Sequence, residues 1–191
     1  MLILASASPR RAELLRNANI EFTVDPAHVP EEPLPHEKPL EYAQRLARDK
    51  ARAVFARHPD EVVLGADTVV VVVEHLLEKP LSSDDATRML RLLAGRTHQV
   101  ITGICVLAPG FERTAAEITN VSFSLLSDDE IAGYIRTGEP MDKAGAYGIQ
   151  GMASRWAERM EGCYFNVVGL PVPRVYRLLR EAESSTGRSL L

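Results

Sequence analysis

Two arginines, Arg10 and Arg11, directly follow the segment Ser6-Ala7-Ser8-Pro9 near the N-terminus. Ser8 is a favourable helix N-cap and Pro9 suits the first helical position, which places both arginines in the first turn of a predicted helix. The helix dipole disfavours cations at that end. Serines, arginines and free backbone N–H groups at a helix start are typical of a phosphate site. A solvated basic turn is the alternative.

Two further charged residues lie among apolar neighbours. Lys50 falls within the apolar stripe of a helix predicted over residues 40–58, and Asp67 lies in the apolar segment 62–71. Burial of a charge is costly unless the charge is paired, so the Lys50 ammonium is expected to meet an anion. Asp67 is expected to have a partner, a metal ion or a chemical role. The alternatives are a Lys50 that extends to water and an Asp67 that caps a turn between two strands.

Glycines and polar residues concentrate in a segment nearer the C-terminus. Asp142 and Lys143 form a charge pair before the glycine-rich run 145–151, which contains Gln150; Lys79, just before a proline, is a weaker signal. Glycines allow a backbone to approach a ligand closely, and a buried amide can read the edge of a base through its donor and acceptor. A loop shaped only by its turns is the alternative.

Several common sites are excluded by their missing patterns. The chain has no P-loop, no G-x-G-x-x-G run, no G-x-S-x-G elbow and no zinc-site spacing among its five histidines. Any bound metal is therefore expected to be a hard divalent ion held by carboxylates, water and phosphate oxygens.

The bulk composition predicts one globular, cytoplasmic domain over residues 1–191. Hydrophobic residues make up 46% and charged residues 25% of the chain. The longest apolar run, residues 69–73, is far below the ~20 residues of a membrane span, and the N-terminus lacks the pattern of a secretory signal. The net charge of −4 provides no general attraction to polymeric nucleic acid or to anionic membranes. Cys105 and Cys163 are expected to be reduced.

Periodicity and turn residues predict strands interleaved with helices, and so an α/β or α+β fold with a mixed sheet. Residues 61–74 are expected to form a strand interrupted at Asp67-Thr68, while residues 155–160 fit either a strand or a helix. Further strands are predicted over 2–5, 22–24, 97–107 and 114–126, and helices from Ser8, over 40–58 and 83–94, from Ser127, and over 171–183.

In series, these segments resemble the Maf family across nearly the whole chain. The residues that carry the resemblance are Ser6 to Arg11, Lys50, Gly65 to Thr68, Glu78 to Pro80, Asp142 to Gly151 and Gly162 to Pro171. The resemblance implies a Maf/inosine triphosphatase-like fold, with an elongated mixed sheet flanked by helices and two lobes around a central cleft. It also implies a homodimer.

Members of this family are house-cleaning nucleoside triphosphate pyrophosphatases. Arg11, Thr68 and Gln150 match the branch that hydrolyses dTTP and UTP, whereas the 7-methyl-GTP branch typically has a tryptophan in its S-x-S-P-x-R segment and a glutamate at the position of Gln150. A neutral amide can pair with a uracil edge, while a carboxylate better suits the donors of guanine. The alternatives are a pyrophosphatase for 7-methyl-GTP or another modified nucleotide, and a nucleotide-binding regulator of cell division or septum formation.

By resemblance, Asp67 activates the attacking water or binds Mg²⁺ or Mn²⁺, with Glu31 as a second metal ligand. Many relatives carry D-I-D-E before the long helix, but only Glu31 of that motif is present here. The predicted substrate-binding residues are Ser8, Arg10, Arg11, Lys50, Thr68, Lys79, Asp142, Lys143 and Gln150.

Overall fold

Seven strands form one mixed sheet in a computed structural model that describes residues 1–191. The strands are β1 (Leu2–Leu4), β2 (Thr23–Val24), β3 (Val62–Val72), β4 (His75–Leu77), β5 (Thr97–Ala108), β6 (Phe111–Phe123) and β7 (Ala157–Glu161). Their order is β2-β1-β3-β5-β6-β7, with β4 paired to β3. β1 runs parallel to β2 and β3, whereas the pairs β3–β4 and β6–β7 are antiparallel. The predicted mixed sheet is confirmed.

Six α-helices accompany the sheet. They are α1 (Pro9–Asn17), α2 (Pro39–Phe55), α3 (Ser83–Leu93), α4 (Asp128–Ile135), α5 (Tyr164–Val168) and α6 (Val172–Thr186). Local sequence explains several of the helix starts, because Ser82 caps α3 by accepting from the Asp85 N–H and Ser127 forms a capping box with Glu130. Ser8 is the N-cap residue of α1, as predicted.

Helix α2 lies directly against the sheet at Gly65. A Cβ atom at this position would stand 2.0 Å from the Ala47 carbonyl oxygen and 2.8 Å from the Ala51 amide nitrogen. Such distances are far below van der Waals contact, so only glycine allows the helix and β3 to approach this closely. The contact places one face of α2 over β3.

The predicted interruption of the strand at Asp67-Thr68 is wrong, because β3 continues through both residues. Asp67 is tolerated inside a buried strand since a side chain of α2 pairs with its carboxylate, and β-branched Thr68 fits a pleated strand. For residues 155–160, both alternatives are partly right: a 3₁₀ turn ends at Trp156 and β7 follows. Helix α5 was not predicted.

The chain divides into two compact units, whose boundaries fall within β3, β5 and β6 and at the end of α5. Unit 1 consists of Met1–Thr68, Thr102–Glu117 and Gly169–Leu191, and unit 2 of Val69–Ile101 and Ile118–Val168. Unit 1 has an aliphatic core in which α2 covers β1, β3 and β5. Unit 2 contains the T-shaped aromatic pairs Phe123–Tyr147 and Tyr134–Trp156.

Cys105 and Cys163 are free thiols, as predicted. No helix combines the length and the apolar character that are needed to cross a bilayer.

Candidate active site

In unit 1, the ammonium group of Lys50 contacts two carboxylates. Its Nζ atom lies 2.7 Å from Oδ1 of Asp67 and 2.8 Å from Oε1 of Glu31. Lys50 and Asp67 are each only 7% exposed, whereas Glu31 lies in an exposed loop. The prediction that Lys50 meets an anion on the packed side of its helix is confirmed, and Asp67 has the partner that its burial requires.

Burial raises the pKa of the Asp67 carboxyl group, and the nearby positive charges of Lys50 and Arg11 oppose this shift. Oδ1 of Asp67 accepts the hydrogen bond from Lys50, while Oδ2 forms no hydrogen bond within the chain. A carboxylate with a raised pKa and a free oxygen is suited to accept a proton from water, or to bind a hard cation through that oxygen.

Arg11 is buried at the start of α1 and uses its guanidinium group within the protein. Its hydrogen-bond acceptors are the Gly169 carbonyl (2.8 Å), Ser6 Oγ (2.9 Å), the Ala66 carbonyl (2.9 Å) and Thr68 Oγ1 (3.0 Å). Four of its five N–H donors are therefore occupied. The arginine fixes the N-terminal segment to the residues beside Asp67.

Thr68 is held by a second set of hydrogen bonds. Its hydroxyl group lies 2.9 Å from the hydroxyl of Thr102 and 3.4 Å from the Gly169 carbonyl oxygen. Thr102 is fully buried in β5, and sequence reasoning missed it. The available signal was a polar residue inside an apolar strand, the same signal that identified Asp67.

The remaining predicted residues of unit 1 lie at the start of α1. Ser8 donates its backbone N–H to Ser6 Oγ at 3.3 Å, and its own side chain makes no capping hydrogen bond. Arg10 is partly exposed in the first turn. Burial lowers the pKa of the Arg11 guanidinium, Asp67 opposes this shift, and the charge of Arg10 lowers the pKa further. The helix start therefore carries a partly exposed hydroxyl group, and the charged Arg10 beside it already interacts within the chain.

The charged residues predicted in unit 2 differ in their surroundings. Lys79 is exposed between β4 and α3 and makes no hydrogen bond or ion pair within the chain. The Lys143 Nζ atom donates to Asp142 Oδ1 and to the Glu139 carbonyl, both at 2.6 Å. Two of the three N–H donors of Lys143 therefore hold the loop itself.

Gln150 was interpreted as a buried amide, and this interpretation is wrong. The residue is exposed, and its side chain makes no hydrogen bond within the chain. It lies in a turn closed by the Gly151 N–H, which donates to the Gly148 carbonyl at 3.1 Å. The donor and the acceptor of its amide are thus available to a ligand. Sequence reasoning also missed Tyr134 and Glu139, which contact this turn.

Comparison with known proteins decides the family. The family described as Maf-like protein matches residues 1–182. The chain belongs to the Maf family. Its sequence is similar to proteins named dTTP/UTP pyrophosphatase, one of them from Koribacter versatilis, with 62% identity over 95% of this chain and 94% of that protein.

Two other relatives of this Maf-family chain have the same name. The protein from Thermococcus onnurineus is 52% identical, with coverage of 93% of this chain and 96% of the relative. The protein from Geobacillus is 49% identical, with coverage of 92% and 95%. A solved structure from Vibrio cholerae overlaps 72% of this chain and 70% of its own, but its TM-score of 0.36 and its 15% identity are too low to indicate a shared fold.

Replacement of Arg11 by lysine is expected to destabilise the Maf-family chain by about 2–4 kcal/mol, because lysine keeps the charge but cannot reach the same four acceptors. The matched control is Arg16→Lys on the same helix, where the exposed guanidinium only stacks on Phe22 at 5.7 Å. Urea unfolding of both variants measures the difference. Equal stabilities would show that the Arg11 hydrogen bonds contribute nothing specific.

Proposed function

We propose that the protein is a nucleoside triphosphate pyrophosphatase that hydrolyses dTTP and UTP to the monophosphate and pyrophosphate. The observation that carries the proposal is the buried Asp67 carboxylate, held by Lys50 and with one oxygen free. Relatives that are 44% to 62% identical over nearly the whole chain are named for this activity. A house-cleaning role for nucleotide pools is part of the same proposal.

In the proposed reaction, Asp67 accepts a proton from the attacking water. Its raised pKa brings the carboxylate closer to the basicity of a useful proton acceptor. The Lys50 ammonium keeps Oδ1 fixed and leaves Oδ2 to meet the water. Cleavage of the anhydride bond adds the water oxygen to one phosphorus atom and releases pyrophosphate, so negative charge develops on the leaving group.

Positive charge for the phosphates is proposed to come from the exposed Lys79, and Arg10 stays a predicted substrate-binding residue. The start of α1 adds backbone N–H groups and the Ser8 hydroxyl, which together favour a bound anion. Arg11 has a less direct part, since four of its donors are used within the protein. Asp142 and Lys143 were predicted to bind substrate, and their mutual ion pair favours a role in shaping their loop.

A divalent cation, Mg²⁺ or Mn²⁺, is proposed as the cofactor. Asp67 and Glu31 could hold such an ion, because Lys50 keeps the two carboxylates near each other and Oδ2 of Asp67 forms no hydrogen bond within the chain. No three histidine, cysteine, aspartate or glutamate side chains are arranged so that they could hold a metal ion, so water and phosphate oxygens would complete the ligand set. When bound, the ion would neutralise charge on the phosphates.

The base is proposed to be read by Gln150. Its exposed amide offers one acceptor and two donors, which match the alternating groups on the edge of uracil or thymine. Thr68 and Arg11 are the other two residues that match the dTTP/UTP branch, and the structure joins them by a 3.0 Å hydrogen bond. A cytoplasmic location and a homodimer remain predictions.

The direct test is hydrolysis of a nucleotide panel by the purified protein with Mg²⁺ or Mn²⁺. Pyrophosphate and phosphate are measured separately for dTTP, UTP, 7-methyl-GTP and the common purine nucleotides. We expect pyrophosphate from dTTP and UTP. Free phosphate as the first product, or preference for 7-methyl-GTP, would contradict the proposal. Nucleotide binding without product would favour a regulatory protein.

Asp67→Asn is expected to abolish turnover while largely preserving nucleotide binding. The amide cannot accept the proton from water, but the fold should persist because Glu31 still contacts Lys50 and a neutral side chain avoids the cost of burying a charge. Pyrophosphate release and UTP binding by calorimetry measure the two effects. Asp60→Asn, an exposed residue before β3, is the control. Retained activity in Asp67→Asn would rule out both the base and the metal-ligand roles.

A further inference from the structure

The four-residue turn Gly148–Gly151 in unit 2 is built so that its two central residues point in different directions. Ile149 is buried with 8% of its surface exposed, whereas Gln150 is exposed. The turn hydrogen bond from the Gly151 N–H to the Gly148 carbonyl is 3.1 Å long. The point from which the Gln150 side chain extends is therefore set by whatever fixes this turn.

The carboxylate of Glu139 holds the two ends of the turn. Its Oε2 atom accepts from the Met152 N–H at 3.3 Å, just after the turn. Its Oε1 atom accepts from the Tyr134 hydroxyl at 2.9 Å, and that hydroxyl in turn accepts from the Gly148 N–H at 3.0 Å. One carboxylate is thus joined to the end of the turn directly and to its start through Tyr134.

The glycines at both ends of the turn are shaped to this carboxylate. A Cβ on Gly151 would lie 2.0 Å from Glu139 Oε1, and a Cβ on Gly148 would lie 3.2 Å from the same atom and 2.7 Å from Cε of Lys143. Neither glycine has a left-handed φ. Close approach to Glu139 and Lys143, rather than turn conformation, therefore explains both glycines.

Tyr134 is itself held rigidly. It is fully buried, and its ring meets Trp156 edge-on at a centroid distance of 5.1 Å. The backbone of Glu139 is fixed as well, because Lys143 donates to its carbonyl oxygen and its N–H donates to Thr137 Oγ1 at 3.1 Å. The two anchors of the turn have little freedom to move.

We propose that Tyr134 and Glu139 are positioning residues that set the preference for uracil and thymine by fixing the turn that presents Gln150. The inference rests on the proposed role of Gln150 as the residue that reads the base. The Gln150 amide can distinguish one base from another only if its donor and acceptor line up with the groups on the base edge. A side chain that is mobile before binding loses conformational entropy when it binds, and this loss weakens the recognition. Neither positioning residue is proposed to touch the base.

The test is a double-mutant cycle with Tyr134→Phe, Gln150→Ala and the double variant, measured as kcat and KM for UTP. Tyr134→Phe deletes only the hydroxyl between Gly148 and Glu139. We expect each single variant to raise KM for UTP roughly five- to ten-fold, the effect of about one lost hydrogen bond, with little change in kcat. The double variant should be no worse than Gln150→Ala alone.

The control is Tyr176→Phe, which removes an exposed hydroxyl that accepts from Arg180 at 3.2 Å. Glu139→Gln is the second test variant, because it leaves one oxygen acceptor where the turn requires two. It should raise KM like Tyr134→Phe, and it replaces that variant in the cycle if the phenylalanine protein does not fold.

The possible failures can be told apart. Wild-type protein without UTP hydrolysis would refute the proposed function itself, and an unchanged KM in Gln150→Ala would refute its base-reading role. If Gln150→Ala raises KM but Tyr134→Phe behaves like Tyr176→Phe, the positioning role is wrong. The positioning role is also wrong if the increases in KM caused by the two single mutations multiply in the double variant. It is likewise wrong if Tyr134→Phe lowers kcat and leaves KM unchanged.

Discussion

The contact between Lys50 and Asp67 is the interaction on which the candidate site depends, and backbone packing makes it possible. Asp67 lies two residues after Gly65 and so points to the same face of β3. Ala47 and Ala51 of α2 approach Gly65, and Lys50 lies on the same side of the helix. The missing side chain at Gly65 thus brings the ammonium within 2.7 Å of the carboxylate.

This pair is costly to bury, and its surroundings show how the cost is limited. Glu31 provides a second carboxylate for the ammonium from an exposed loop. The guanidinium of Arg11 lies near enough to oppose the rise in the pKa of Asp67. Arg11 also joins the start of α1 to β3 and to the Gly169 carbonyl. An arginine that the helix dipole disfavours is therefore retained by its acceptors.

The sequence predicted those parts of the site that leave a local signal. Three residues stand out from their neighbours along the chain. Lys50 is a charge in an apolar stripe, Asp67 is a charge in an apolar strand, and Ser8 marks a helix start before a proline. The continuity of β3 through Asp67 could not be predicted, because it depends on a partner that is 17 residues away in sequence.

Other features left no local signal at all. Helix α5 has five residues, too few for a periodic pattern to appear. The reason for Gly148 and Gly151 depends on Glu139, a residue from an earlier turn of the chain. Composition predicted the glycine-rich loop, but only the structure shows that the side chains of Glu139 and Lys143 lie against its glycines.

A double-mutant cycle between Lys50 and Asp67 tests the central claim most directly. Urea unfolding at neutral pH is measured for Lys50→Met, Asp67→Asn and the double variant. Because Lys50→Met leaves a buried carboxylate without its ammonium, it should destabilise the wild-type background more than the Asp67→Asn background. A coupling free energy of about 1–3 kcal/mol is expected. Effects that add within about 0.5 kcal/mol would show that the two charges do not depend on each other.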